Sequence, residues 1–273
     1  MTSAHTITTR RPFLRSLCAL AAGIAVASTM GLSHARADVL TDIQKAGTLR
    51  VAVPQDFPPF GSVGTDLKPR GYDIDVASLI AKELGVKVEL IPVTSTNRIP
   101  YLTTGKADLV ISSLGKNPDR EKVIDFSEAY APFFNGVFGP EDVKLTKAEE
   151  LAGKTIGVTR GSVEDLELTK IAPATATIKR FEDNNATISA YLTGQVQFVA
   201  TGNVVAAAVN DMTKLRRLGS KFLIKNSPCY VGVAKGEAAL ATKVNAIIAK
   251  AKKDGSLNDI AQRWLHAPLP KDL

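Results

Sequence analysis

Residues 112–120, SSLGKNPDR, end on a guanidinium just beyond ADLVI, a run of pure strand character. A guanidinium beside small hydroxyl and backbone donors is a fork shaped for a planar anion. The competing reading is that Arg120 pairs with Asp119 or Glu121 on a wet surface. A second guanidinium, Arg98, stands in TSTNRIP at residues 94–100, with Ser95 close by. RGSVED, residues 160–165, sets Ser162 three positions before Asp165, the spacing of a capping box that opens a helix. Free backbone N–H groups and the dipole at such a start favour an anion, although Ser162 could serve as a cap alone. DFPPF supplies Phe57 and Phe60 in a loop. Asp73 and Asp75 in GYDIDVA have the look of a metal or catalytic pair, but read better as residues that cap and start their helix.

The wider composition removes most alternatives. The amino terminus reads as an export leader: TTRRPFLRSL at residues 8–17, a short apolar stretch at 17–32, then Ala35-Arg36-Ala37. The apolar stretch is shorter than a membrane span, the paired arginines resemble a twin-arginine export motif, and cleavage is expected after Ala37. That leader carries Arg10, Arg11, Arg15 and Arg36 and no acid, so it holds four of the seven net positive charges. The basic balance therefore gives little support to a nucleic-acid partner. It also carries Cys18, His5 and His34, which leaves Cys229 and His266 as the single cysteine and histidine of the mature chain. A Ser-His-Asp triad, a histidine-rich zinc site or a Cys-His pair would have to use His266 alone. No catalytic group, cofactor site or metal site is expected, and no span crosses a membrane in the mature chain.

Two blocks of alternating strand and helix patterns must position these residues. TLRVAV, a helical GYDIDVASLIAKELG, VKVELIPV, a short NRIPYLTTG helix and ADLVIS form the first. KTIGVT, SVEDLELTKI, TIKRF, DNNATISAYLTG, VQFVAT and NVVAAAVNDM form the second. Extended apolar joints at residues 130–139 and 222–236 connect them, and only helical patterns follow the second joint. The economical arrangement is α/β: two lobes, each a mainly parallel sheet flanked by helices, joined by two crossing hinge strands. Residues 38–132 plus 228–273 make lobe one and 133–227 lobe two.

RGYDIDVASLIAKELGVKVELIPV, GKADLVISSLGKNPDREKVIDFSEAY, KTIGVTRGS and NATISAYLTGQVQF, in this order, resemble the polar amino-acid family of periplasmic solute-binding proteins, the capture components of ABC importers. TSTNRIP resembles the glutamate/aspartate-binding branch. The resemblance implies the type II periplasmic-binding-protein fold with a ligand in the cleft between lobes, where strand ends gather. It makes Arg120 the grip for the ligand's α-carboxylate, with Ser113 and the backbone near Gly115 as further donors. Ser162 and its helix start would hold the same carboxylate from lobe two. Phe57 becomes an aromatic wall, with Phe60 beneath it, while Phe133 and Phe134 fall to the hinge. Arg98, with Ser95, becomes the grip for a side-chain carboxylate, which points to glutamate, aspartate or a similar dicarboxylate.

Two departures qualify the ligand. The branch carries another arginine where this chain has Pro54, and the family's ammonium-neutralising aspartate falls on Gly202 and Asn203. Either Asn203 accepts from the ammonium with help from Asp183 or Glu164, or the ligand depends less on an amine. The implied partners are an amino acid or dicarboxylate, an ABC permease and its ATPase subunit, and the protein is expected to act as a periplasmic monomer. Two other readings use the same scaffold: a dehydratase for a prephenate-like carboxylate, with Glu164, Asp165 or Asp183 as general acid, and a receptor module of a membrane signalling system.

Overall fold

Burial along each strand already tells where it sits. The computed structural model describes residues 38–273, so the proposed leader lies outside the described residues. Helix α1 (Val39–Ala46) is capped by Asp38 and stops at Gly47, whose φ is 66°. Strand β1 (Thr48–Pro54) is followed by a small antiparallel sheet of β2 (Asp56–Phe57), β3 (Gly61–Val63) and β4 (Pro69–Arg70). Helix α2 (Tyr72–Leu84), β5 (Lys87–Val93), α3 (Arg98–Thr103), β6 (Leu109–Leu114), α4 (Pro118–Val123) and β7 (Ile124–Ala131) complete the first block. The second runs β8 (Phe134–Gly139), a 3-10 turn at Ala148–Leu151, β9 (Thr155–Thr159), α5 (Val163–Ile171), β10 (Thr177–Phe181), α6 (Asn184–Leu192), β11 (Phe198–Gly202), α7 (Asn203–Met212) and β12 (Gly219–Asn226). Strand β13 (Cys229–Ala234), α8 (Ala238–Asp254) and α9 (Ser256–Leu265) close the chain onto the first block.

Two five-stranded sheets result, ordered β5-β1-β6-β13-β7 and β10-β9-β11-β8-β12. In each, three strands pair in parallel, as βα units require; a fourth, β13 or β8, runs antiparallel to them, and the fifth, β7 or β12, pairs antiparallel with that fourth strand and so points the same way as the first three. The sheets are therefore mixed, and the antiparallel strands are the ones adjoining the crossovers. Inner strands β1, β6 and β11 are buried nearly throughout, whereas edge strands β5, β10 and β12 alternate with solvent.

Each sheet has its own core. Leu49, Val51 and Ile111 pack under α2, α8 and α9 on one face of the first sheet, and Ala52 and Val110 pack against Leu102 of α3 on the other. Val137, Ile156 and Leu168 fill one face of the second sheet, and Tyr191, Val199 and Val209 the other. The chain leaves the first sheet after β7, enters the second at β8 and returns between β12 and β13. The two crossings are tied where Ser227 N donates to Phe133 O at 2.9 Å.

Among the described residues no helix is long and apolar enough to cross a membrane, and no cluster of histidine, cysteine or acidic groups has metal-binding geometry. Cys229 is a free thiol on the return strand, fully buried.

Candidate functional site: the interlobe cleft

The carboxyl ends of β1, β5, β6, β9 and β11 face one cleft between the lobes. Such ends are where an open α/β sheet places a ligand, because the loops and helix starts that follow leave backbone groups and side chains unpaired. Phe57, Ser95, Arg98, Ser113 and Gly115 line it from lobe one, and Ser162, Glu164, Asn184 and Thr201 from lobe two. Phe133, Asn135 and Ser227 close its hinge side.

Arg98 owes its place to a short loop. Asn97 Oδ1 accepts from Thr94 N at 2.8 Å, folding the chain so that Arg98 opens α3. Its side chain is 4% exposed. Nη1 donates to Ser112 O, while Nε is buried with no hydrogen-bond partner. Among the described residues no carboxylate forms a salt bridge with Arg98. Burial lowers its pKa, opposed chiefly by Glu164.

Arg120 is placed by the NPD sequence. Asn117 caps α4 by accepting from Arg120 N at 2.8 Å, with Pro118 at the start of the helix. Its Nη1 donates to Gly115 O at 2.7 Å and its Nη2 to Gly161 O at 2.9 Å, so this one guanidinium ties lobe one to lobe two. Arg120 is not among the lining side chains; it lies behind Gly115, with two of its nitrogens committed to carbonyls. Burial first, and the Arg98 charge second, lower Arg120 to about 9. It is still charged at neutral pH. Gly115 is required by close approach: a Cβ there would lie 2.4 Å from Ser227 Oγ and 2.8 Å from Val163 Cγ2.

Ser113 has φ 41°, in the left-handed region that disfavours an ordinary side chain. A fully buried carboxylate holds it there: Asp73 Oδ2 accepts from Ser113 N at 2.7 Å, and Oδ1 from Tyr130 Oη at 2.6 Å. Burial pushes Asp73 up to about 7 despite those bonds. The expectation that Asp73 and Asp75 cap α2 is therefore corrected. Gly71 occupies the cap position without a side-chain bond, and Asp75 accepts from Arg263 and Trp264 of α9. Tertiary partners override the local preference of aspartate for a helix start.

Lobe two contributes the start of α5. Ser162 Oγ accepts from Asp165 N at 3.1 Å, and Asp165 Oδ2 accepts from Gly161 N at 3.0 Å. The box thus closes on Gly161 rather than on Ser162. Glu164, in the first turn, brings its own carboxylate to this positive helix end. Burial raises its pKa, while its own N–H, Ser162 and the two arginine charges pull it back. One oxygen, Oε1, is buried without a partner.

The lobes also meet across the cleft's outer edge. Asp56 of β2 accepts from Asn184 N at 2.7 Å, Asn185 N at 3.3 Å and Asn184 Nδ2 at 3.2 Å, so lobe one caps a helix of lobe two. On the lobe-two wall of the cleft, Thr159 Oγ1 joins Asn184 and Thr187 in one polar network.

Of the residues singled out from sequence, Phe57, Ser95, Arg98, Ser113, Gly115 and Ser162 come together here. Phe57 packs beside Phe60 at 6.1 Å between ring centroids, and Phe60 lies beneath it in the core. Asn203 does not reach the cleft: it is exposed at the first position of α7, and its Oδ1 accepts from Phe134 N at 3.4 Å. Strand β11 turns into helix one residue before it, which carries its side chain outside. Asp183 is spent on capping α6 through Ala186 N. Phe133, assigned to the hinge from sequence, also lines the cleft, 6.0 Å from Phe57 between centroids. Asp56, Asn135, Thr159, Asn184, Thr201 and Ser227 were missed; an aspartate and an asparagine beside FPPF and DNN were the only local signals.

This geometry agrees with what the chain is similar to. Residues 49–267 match the model of the bacterial extracellular solute-binding proteins, family 3, and the chain belongs to that family. The ABC transporter glutamine-binding protein GlnH of Bacillus subtilis is 30% identical over 71% of this chain and 72% of its own. The L-cystine-binding protein TcyJ of Escherichia coli is 27% identical over 93% and 97%. Among solved structures, an ancestral arginine-binding protein bound to arginine superposes with a TM-score of 0.76 at 34% identity, covering 80% of this chain and 98% of that one. The ancestral amino acid-binding protein AncCDT-1, described as a precursor of cyclohexadienyl dehydratase, gives 0.77 at 31% identity, over 83% and 99%. The two-lobed type II fold is thus established.

Proposed function

We propose that this protein is the periplasmic capture component of an ABC importer, taking an amino acid with an acidic side chain into the interlobe cleft and presenting it to a permease. Names of the relatives support amino-acid capture in general. The acidic preference is carried by one observation: the buried guanidinium of Arg98 lines a cleft whose lining holds a single acid, Glu164, and a second buried guanidinium, Arg120, stands behind Gly115. Arg98 has an unpartnered Nε, and a buried donor left unmade costs roughly 1–3 kcal/mol, which an anionic ligand would recover. In this reading the leader is removed after Ala37, the mature chain acts as a monomer, and the lobes divide near residues 132/133 and 227/228. Lobe closure over the ligand is the signal that the permease reads.

A thermal-shift panel of glutamate, aspartate, glutamine, arginine and cystine tests it, since ligand stabilises by mass action. Glutamate or aspartate should give the largest shift; a larger shift with arginine would refute the acidic preference.

A second reading has one observation in its favour. Glu164 is a buried cleft carboxyl with a raised pKa, the state of a general acid, and a structural neighbour is named as a dehydratase precursor. Glu164 would then protonate a leaving hydroxyl on a prephenate-like carboxylate. Consumption of prephenate by the purified protein, lost in Glu164→Gln, would favour that reading over capture.

A further inference from the structure

Residues 115–117 join β6 to α4, and little of their own backbone fixes them. Among the described residues none accepts from the backbone N–H of Gly115, Lys116 or Asn117. Gly115 has no side chain to anchor, because Ser227 and Val163 leave no room for a Cβ. Yet two atoms of this stretch place Arg120: Gly115 O accepts from its Nη1 at 2.7 Å, and Asn117 Oδ1 from its N at 2.8 Å. From that seat Arg120 reaches Gly161 O of lobe two at 2.9 Å. The loop that aims this link across the lobes therefore depends on side chains for its own position.

Lys116 stands between those two residues, half-buried, and is not part of the cleft lining. Its Nζ lies 4.4 Å from the ring centroid of Tyr230 on β13 and 5.7 Å from that of Phe126 on β7. The two rings meet edge to face, 6.1 Å between centroids at 83°, and make a corner for the ammonium. Two carboxylates line the same hollow, Glu121 and Asp125. Asp125 is taken by Lys235 Nζ at 2.6 Å and Gly236 N at 2.9 Å, and among the described residues no carboxylate forms a salt bridge with Lys116. The rings are its partners, and their faces attract an ammonium most where water is partly excluded. Tyr230 also faces Leu114, the last residue of β6, in the ladder. It follows Ser227 by three positions on the crossing that returns from lobe two. The lysine thus fastens the loop to the return strand.

We propose that Lys116 is a positioning residue for capture: its ammonium, seated on Tyr230 and Phe126, holds residues 115–117 where Gly115 O and Asn117 Oδ1 aim Arg120 at lobe two. This rests on the capture reading above and adds to it a residue outside the cleft. The plainer alternative is that only the apolar stem of Lys116 matters, as cover for the rings.

The test compares Lys116→Met, which keeps a stem and removes the charge, with Lys116→Arg, which keeps the charge. Glutamate and arginine are the probes, by calorimetry and stopped flow on the mature protein. Lys116→Met should weaken whichever probe binds by about fivefold, in line with a partly desolvated cation–π contact. The loss should lie in a faster off-rate, because the link to Gly161 O belongs to the closed lobes. Lys116→Arg should restore affinity to within about twofold, since a guanidinium also seats on ring faces. Tyr230→Leu should give a similar loss, and the Lys116→Met, Tyr230→Leu double variant little more than either alone. Hydrogen exchange supplies a readout that needs no ligand. The amides of Arg120 and Glu121, both bonded to Asn117, should exchange faster in Lys116→Met than in wild type or Lys116→Arg. Full affinity in Lys116→Met, or an equal loss in Lys116→Arg, would overturn the positioning role and leave capture intact. Failure of wild type to bind either probe would remove the capture reading, and unchanged exchange at Arg120 and Glu121 would then remove this one as well.

Discussion

Lobes one and two are built on the same strand order, three parallel strands, one antiparallel to them and a fifth antiparallel to the fourth, yet they bring opposite charges to the cleft. Lobe one brings Arg98 to the lining, with Arg120 behind Gly115, each buried and neither salt-bridged to an acid among the described residues. Lobe two brings Glu164, with hydroxyls and amides around it. In both, the functional groups sit on the loop or first helical turn after a parallel strand. Topology fixes where a group can stand, and the residue types at strand ends decide what each half offers. In the proposed reading a guest carrying both signs would be held by closure, because neither lobe alone would satisfy it.

Removing a charge from lobe one should have the largest effect. Arg120→Ala deletes the bonds to Gly115 O and Gly161 O and a buried cation together. Calorimetry should show amino-acid binding weakened by on the order of 1000-fold, in line with the loss of a buried hydrogen-bonded charge; retained micromolar affinity would show that the link across the lobes is dispensable. Arg98→Ala should weaken glutamate by about 100-fold but glutamine by about 10-fold or less, since its unpartnered donor is matched to a second carboxylate. Equal losses would take the acidic preference away from Arg98.

The hinge side of lobe two can be probed without touching a charge. Gly202→Ala, whose added Cβ would collide with the Phe133 ring, should destabilise the protein by about 1–3 kcal/mol through overpacking. Chemical denaturation should show the cost largely relieved in the Gly202→Ala, Phe133→Leu double variant. A fully additive double variant would mean that the ring is not what excludes a side chain there.

Asp56→Ala removes lobe one's cap on α6. A lost cap costs about 1 kcal/mol, here charged to the closed arrangement, so affinity should fall about fivefold and small-angle scattering should show a more open protein. An unchanged scattering profile would limit Asp56 to local capping.

A test on stability rather than on binding concerns Asp73, behind Ser113. Its folded pKa, about 7, lies above the ordinary 3.8, so the folded state binds the extra proton between those values. Its contribution to stability is full below about pH 4 and is lost as pH rises through about 7. The thermal midpoint of wild type relative to Asp73→Asn should therefore decline from pH 4 to pH 8; a constant difference would mean that Asp73 stays ionised throughout.

The two-lobed plan was legible because apolar runs and helical faces are local patterns, and because two extended joints separate the blocks. Arg98, Ser95, Phe57, Ser113, Gly115 and Ser162 were placed at one cleft by the family resemblance, in keeping with the rule that ligands bind at the carboxyl ends of parallel strands. What escaped depends on distant partners. Asn135 and Ser227 reach the cleft only through the crossings, and Phe133 only because Gly202 leaves room for its ring. Asp56 meets Asn184 across the lobes, with no trace of that pairing in either neighbourhood. Asp73 was read by its helix-start propensity, yet its partners come from β6 and β7. Asn203 was one residue too late: the helix begins there and turns it outward.

The most direct measurement is a crystal structure of the protein with glutamate bound. One carboxylate is expected on Arg98 Nε and the ammonium within hydrogen-bond distance of Glu164 Oε1. An amino acid seated with its carboxylate at the start of α5, and Glu164 turned out of the cleft, would contradict the division of charge between the lobes.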